Sequence, residues 1–184
     1  MKTALFGGTF DPIHTAHLVI AREAAEQLGL DQVLFIPAGN PPHKRAETPY
    51  EDRFRMVELA CAIDARFVAS RLEEGNAISY SIHTIERVGK PGGALYFIIG
   101  SDAFAEIRTW HRWEEVVRAV EFIVVARPGH NIVSPPGARV HRLDTVASPV
   151  SSSEIRKALA RGERLDEVTP AVLEYIREHK LYRS

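Results

Sequence analysis

Along the chain, short runs of apolar, β-branched or aromatic residues alternate with longer stretches whose apolar positions return every third or fourth residue. The runs are Thr3 to Phe6, Val33 to Pro37, Phe67 to Ser70, Leu95 to Ile99, Phe122 to Ala126 and Arg139 to Leu143. Those that are apolar throughout, such as Tyr96 to Ile99, suit strands covered on both faces, and the periodic stretches suit amphipathic helices. Such alternation predicts an α/β fold: a Rossmann-like, doubly wound, mostly parallel sheet with helices on both faces. Helix starts are marked as well. Thr48, Pro49 and Glu51 predict a capping box with proline at the first helical position, and Thr169 with Pro170 repeats the cap-plus-proline signal. Loops rich in Gly, Pro and Asn are expected at 38–48, 89–93 and 127–137. A single domain over residues 1–184 is expected, with a small C-terminal helical part from about 150 to 184.

Composition narrows the partners. With 184 residues, 45% of them hydrophobic, the chain can bury one core. Its 23 basic and 24 acidic side chains nearly cancel, so the general field that binds nucleic acid or an anionic membrane is absent and a small-molecule partner is expected. The lone cysteine, Cys61, falls in a helical apolar pattern with Met56, Val57, Leu59, Ala60 and Ile63; it reads as packing and points to a reducing compartment. Only Ala4, Leu5 and Phe6 precede Gly7 and Gly8 at the N-terminus, too few for a signal-peptide core, and no apolar run reaches membrane-span length. A cytoplasmic location is expected.

Two segments carry candidate chemistry. The first is Gly7-Gly8-Thr9-Phe10-Asp11-Pro12-Ile13-His14-Thr15-Ala16-His17, a strand running into two glycines and then into two histidines three residues apart at a helix start. Three residues is nearly one helical turn, so both imidazoles face one side of a helix N-terminus, where backbone amides and the helix dipole favour an anion. Glycines there allow a phosphate or sugar to approach the main chain. Two other readings stand beside this one: a plain glycine turn, and a zinc pair lacking an obvious third ligand. A Walker P-loop and a three-glycine dinucleotide fingerprint are both missing.

The second segment is Ser151-Ser152-Ser153-Glu154-Ile155-Arg156. It reads as a capping box from Ser151 to Glu154. It reads equally as a polyphosphate grip, with three hydroxyls and a guanidinium in the first turn of a helix.

Together the two segments resemble the nucleotidyltransferases with an HxGH loop and an ISSTxxR-type helix start; Ala16 stands for the glycine of the first and Ser153 for the threonine of the second. Ile36-Pro37-Ala38-Gly39-Asn40-Pro41-Pro42-His43-Lys44, Ser79-Tyr80-Ser81-Ile82-His83-Thr84, Ile99-Gly100-Ser101-Asp102 with Trp110, and Arg127-Pro128-Gly129 are similar to segments of the bacterial nicotinate mononucleotide adenylyltransferases. The resemblance implies that ATP and nicotinate mononucleotide are joined, with Mg2+, to give deamido-NAD and pyrophosphate. It implies catalytic roles for His14, His17, Lys44 and Arg156, and an ATP site at Gly7, Gly8, Thr9, Phe10, Ser151, Ser152 and Ser153. The mononucleotide would lie at Thr84, Gly100, Asp102, Trp110 and Arg127, with Trp110 stacked on the pyridine, Trp113 as packing and Thr84 beside the ring carboxylate. No resident protein metal site is implied. Other acceptors, nicotinamide mononucleotide or phosphopantetheine, and a nucleotide-binding sensor without turnover are the alternatives.

Overall fold

The computed structural model of the chain describes residues 1–42, 45–75, 77–89, 92–145, 147 and 150–183. In chain order the elements are β1 (Thr3–Gly8), α1 (Thr15–Leu28), β2 (Gln32–Pro37), α2 (Tyr50–Cys61), β3 (Phe67–Ala69), α3 (Ser81–Val88), β4 (Leu95–Gly100), α4 (Ser101–Ala105), α5 (Trp113–Ala119), β5 (Glu121–Ala126), β6 (Val140–Asp144), α6 (Ser152–Ala160) and α7 (Pro170–Glu178), with a 3-10 turn at Ile107–Thr109 between α4 and α5. Each apolar run is a strand within a residue or two of its expected ends. The strands form one sheet in the order β3-β2-β1-β4-β5-β6, with every pairing parallel.

Alternation along each strand divides the core in two. Ala4 and Phe6 of β1, with Tyr96 and Ile98 of β4, meet α1, α2, α6 and α7 on one face; Leu5, Phe97 and Ile99 meet α3, α4 and α5 on the other. Because the chain runs outward in both directions from the centre, β1 and β4 separate at their C-terminal ends, the place where open α/β sheets open a crevice.

Two local expectations change. The glycines are not a turn. Gly7 and Gly8 are the last residues of β1, in register with Ile36 and Pro37, so their bare backbone forms the rim of that crevice. The capping box at Thr48 does not form either: α2 begins at Tyr50 with Pro49 as its N-cap and no side-chain cap bond. Thr48 is instead buried in a loop junction, its amide donating to Asp11 and its carbonyl accepting from Arg53. At α7, proline occupies the first turn as expected, but Thr169 makes no side-chain cap bond.

The loop after β2 is locked by contact. A Cβ on Gly39 would stand 2.0 Å from the Glu73 carbonyl oxygen and 2.8 Å from that of Gly75. The backbone itself must move to admit it, so Gly39→Ala is expected to cost about 1–3 kcal/mol, the range for overpacking, read as a lower urea midpoint. An unchanged midpoint would show that the 73–75 turn yields freely.

Candidate active site

At the β1/β4 crevice lies a pocket of about 270 Å³. Gly7, Gly8 and Gly100 form its glycine rim, Phe97 and Trp110 an aromatic wall, and Glu73, Ser79, Ser81 and Thr84 its polar end. A Cβ on Gly100 would meet nothing within 4 Å, whereas one on Gly8 would come within 3.1 Å of the Phe10 ring. Trp110 is half-buried and meets Phe97 edge to face at 5.8 Å. A larger cavity of about 970 Å³ lies between the 39–42 segment and Glu74–Gly75. It includes Arg53, whose Nε and Nη1 are bound to carbonyl oxygens.

Beside the glycine rim, His14 is the N-cap of α1 and His17 sits one turn in. The rings lie 3.9 Å apart, centroid to centroid, and His17 packs at 5.0 Å against Phe10. The His14 amide donates to His17 Nδ1 at 3.1 Å. An accepting Nδ1 places the proton of the neutral ring on Nε2, which leaves Nε2–H as the donor for an anion. The open helix amides are fewer than expected: the Thr15 amide donates to the Glu167 carbonyl and the His17 amide to the His14 carbonyl. Imidazole donors therefore matter more here than the helix end alone.

Burial lowers the His14 imidazole to about 4, partly offset by the Glu167 carboxylate. Burial, and then the neighbouring His14, hold His17 well below 6.5. Both are neutral at pH 7. The sign of the pH effect follows. An unfolded chain with an ordinary imidazole binds the proton first, so His14's contribution is complete above pH 6.5 and is lost as pH falls toward 4. At pH 5 that amounts to about 2 kcal/mol. Urea unfolding at pH 7 and pH 5 is expected to show the decline, and His14→Asn to remove that share; an equal decline in the variant would acquit His14.

Asp11 and Arg53 hold this loop in place. Both are 2% exposed. The Asp11 carboxylate accepts from the Glu47 amide at 2.8 Å, the Thr48 amide at 3.3 Å and the Tyr182 hydroxyl. Arg53 Nε donates to the Thr48 carbonyl at 3.0 Å, and its Nη1 donates to those of Thr9 at 2.9 Å and Ala38 at 2.8 Å. Asp11 favours the charged guanidinium against the burial that lowers its pKa. Phe10 holds φ 51, a left-handed conformation uncommon for an aromatic residue. Its ring is in the core.

The start of α6 docks on the same loop. Ser151 and Glu154 form the capping box. Ser152 Oγ donates to the Pro12 carbonyl at 2.9 Å, and Arg156 Nη1 to the Asp11 carbonyl at 2.8 Å, while Arg156 Nε pairs with Glu47 at 3.3 Å. Ser153 is half-buried beside them.

The structure thus brings Gly7, Gly8, Gly100, Thr84 and Trp110 to one pocket, and His14, His17, Ser152 and Arg156 to the adjoining loop. Asp102, in the first turn of α4, and Arg127, after β5, are exposed and do not line that pocket. Lys44 lies outside the described residues. The sequence reading missed Asp11, Arg53, Tyr182 and Glu73. A signal existed for Arg53, which shares a helical stripe with Met56, Val57 and Ala60, all buried.

A crevice at the strand-order reversal, rimmed by glycine and flanked by two neutral histidines, defines a nucleotide-binding α/β protein, and the chain belongs to the cytidylyltransferase-like family, which it matches over residues 5–158. Within that family it groups with nicotinate-nucleotide adenylyltransferases. A relative from Solibacter usitatus, named a probable nicotinate-nucleotide adenylyltransferase, is 60% identical over 99% of this chain and 100% of its own length. One of the same name from Exiguobacterium sibiricum is 42% identical over the full length of both. In fold the chain is similar to the Plasmodium falciparum nicotinic acid mononucleotide adenylyltransferase solved with NaAD, with a TM-score of 0.82 and 20% identity over 98% of this chain and 97% of that one.

Proposed function

We propose that the chain transfers the adenylyl group of ATP to nicotinate mononucleotide, forming deamido-NAD and pyrophosphate. The observation that carries the reading is the His14/His17 pair set one turn apart beside the glycine end of β1, next to a pocket walled by Trp110. A phosphate oxygen of the mononucleotide attacks the α-phosphorus of ATP, and the bond to the β-phosphate oxygen breaks as pyrophosphate leaves. No protein group is covalently modified, so the chain's task is to hold two polyanions in line and to donate to the charge on the departing group.

Neutral His14 and His17 enter without a hydration shell to shed and gain strength as charge develops. Ser152, Ser153 and Arg156 hold the polyphosphate with Lys44, Arg156 exchanging its exposed partner Glu47 for phosphate. Gly7, Gly8, Thr9, Phe10 and Ser151 shape the nucleotide side through the main chain and the cap. Gly100, Asp102 and Arg127 serve the acceptor's ribose and phosphate side, and Trp110 stacks on its pyridine ring. Thr84 and the first-turn amides of α3 face the ring carboxylate. A magnesium ion would come in on the triphosphate with its own water. That ion would supply charge neutralisation on the phosphates. The whole chain works as one catalytic unit, in the reducing cytoplasm that its single, buried cysteine suits.

The reading is tested at the acceptor side by Trp110→Ala. The KM for the mononucleotide is expected to rise about tenfold or more, the loss of one base-sized stacking contact, with the KM for ATP little changed. Equal rises in both would make Trp110 a packing residue.

A further inference from the structure

Glu73 is the single charged side chain among the described residues that line the crevice pocket, and it is acidic. It lies on the turn after β3, and the Thr84 hydroxyl donates to its Oε1 at 2.5 Å. The Ser79 hydroxyl, which accepts from the Asn40 amide at 3.0 Å, lines the same end of the pocket. A threonine hydroxyl has one proton. Given to Glu73, that proton is not free for a second carboxylate, and two ionised carboxylates in one half-enclosed cleft repel. An amide-bearing ring would meet no such conflict, since its NH₂ donates to an ionised Glu73. With Glu73 ionised, the side chains at this end of the pocket suit the amide; with it protonated, they join the first-turn amides of α3 in suiting the acid ring.

We propose that Glu73 is protonated when the acid mononucleotide is bound, sharing its proton with the ring carboxylate, so that acid binding takes up a proton from solvent and amide binding does not. This rests on the proposed function and assigns Glu73 as the residue that sets acid against amide. Its surroundings permit the switch. Burial raises its carboxyl above the usual range, opposed by the Thr84 and Ser79 hydroxyls and by the Arg87 charge. Arg87 Nη1 is held on the Leu72 carbonyl. Glu74 on the same turn and His83 on α3 are the other titratable groups that share the adjoining hollow with it, beside Tyr80. From the loop after β2, the Gly39 backbone packs against the Glu73 carbonyl oxygen, and Ala38 lines the same pocket.

The test is the ratio of kcat/KM for nicotinate mononucleotide to that for nicotinamide mononucleotide, taken from about pH 6 to pH 8.5. Both acceptors carry the same phosphate, so its titration cancels. In the parent protein the ratio is expected to fall with rising pH, at most about tenfold per unit for one linked proton, with the change in the acid's KM and not in kcat. In Glu73→Gln, whose amide donates at every pH and still accepts from Thr84, the ratio is expected to be flat. A flat or rising ratio in the parent, or the same slope in E73Q, would overturn the assignment while leaving the proposed function in place. Turnover of neither acceptor would overturn both.

Discussion

His17→Ala is expected to lower kcat on the order of 10²- to 10³-fold, the loss typical of one donor to developing charge in a transition state. The argument runs through the tautomer. The His14 amide fixes Nδ1 as acceptor at 3.1 Å, and the rings of His14 and Phe10 clamp the imidazole at 3.9 Å and 5.0 Å, so Nε2–H is aimed without further reorganisation. Because burial keeps the ring neutral, substrate binding need not strip a charged group of water. The KM for ATP should change far less than kcat, since the contact strengthens as pyrophosphate departs. Removing the ring opens space beside Phe10, so the melting temperature should fall by a few degrees while the protein stays folded. His17→Asn, which keeps an acceptor for the His14 amide, separates the two effects. A kcat near that of the parent in H17A would remove His17 from the chemistry.

The second large effect is on stability. Arg53→Met is expected to cost about 3–5 kcal/mol, the range for breaking a buried charge network by removing one partner. Three carbonyls from three separate segments, Thr9, Ala38 and Thr48, lose their donor, and the Asp11 carboxylate loses the favourable charge of Arg53. Methionine replaces the bulk but none of the bonds. The urea midpoint should fall at constant slope. Catalytic efficiency should fall as well, because Thr9 and Asp11 belong to the segment that presents His14 and His17. A loss below about 1 kcal/mol would show that water satisfies these carbonyls instead.

Why the sequence displays some of this and hides the rest is a matter of range. Strands such as Tyr96 to Ile99 are legible because covering both faces demands an unbroken apolar run, and the outcome is the buried centre of β4. The Ser151 to Glu154 cap is legible because both bonds form within one turn. Gly7 and Gly8 look like a turn in isolation; they are strand because β2 supplies partners from a distant segment. Thr48 has the local marks of a cap, but Asp11 and Arg53 claim its backbone. Tyr182 reaches Asp11 across most of the chain, a pairing that no local pattern encodes. The charged stripe residue Arg53 is the exception: a guanidinium in line with Met56 and Ala60 signals a buried network before any fold is known. Glu73 offers no such mark, because the Arg71-Leu72-Glu73-Glu74 stretch reads as an ordinary solvated loop.

The most direct test is product formation from ATP and magnesium with nicotinate mononucleotide, run beside nicotinamide mononucleotide near neutral pH. Deamido-NAD and pyrophosphate in equal amounts, with kcat/KM for the acid exceeding that for the amide by about tenfold or more, is the predicted result. Equal or reversed preference would contradict the substrate assignment, and pyrophosphate release with neither acceptor would contradict adenylyl transfer itself.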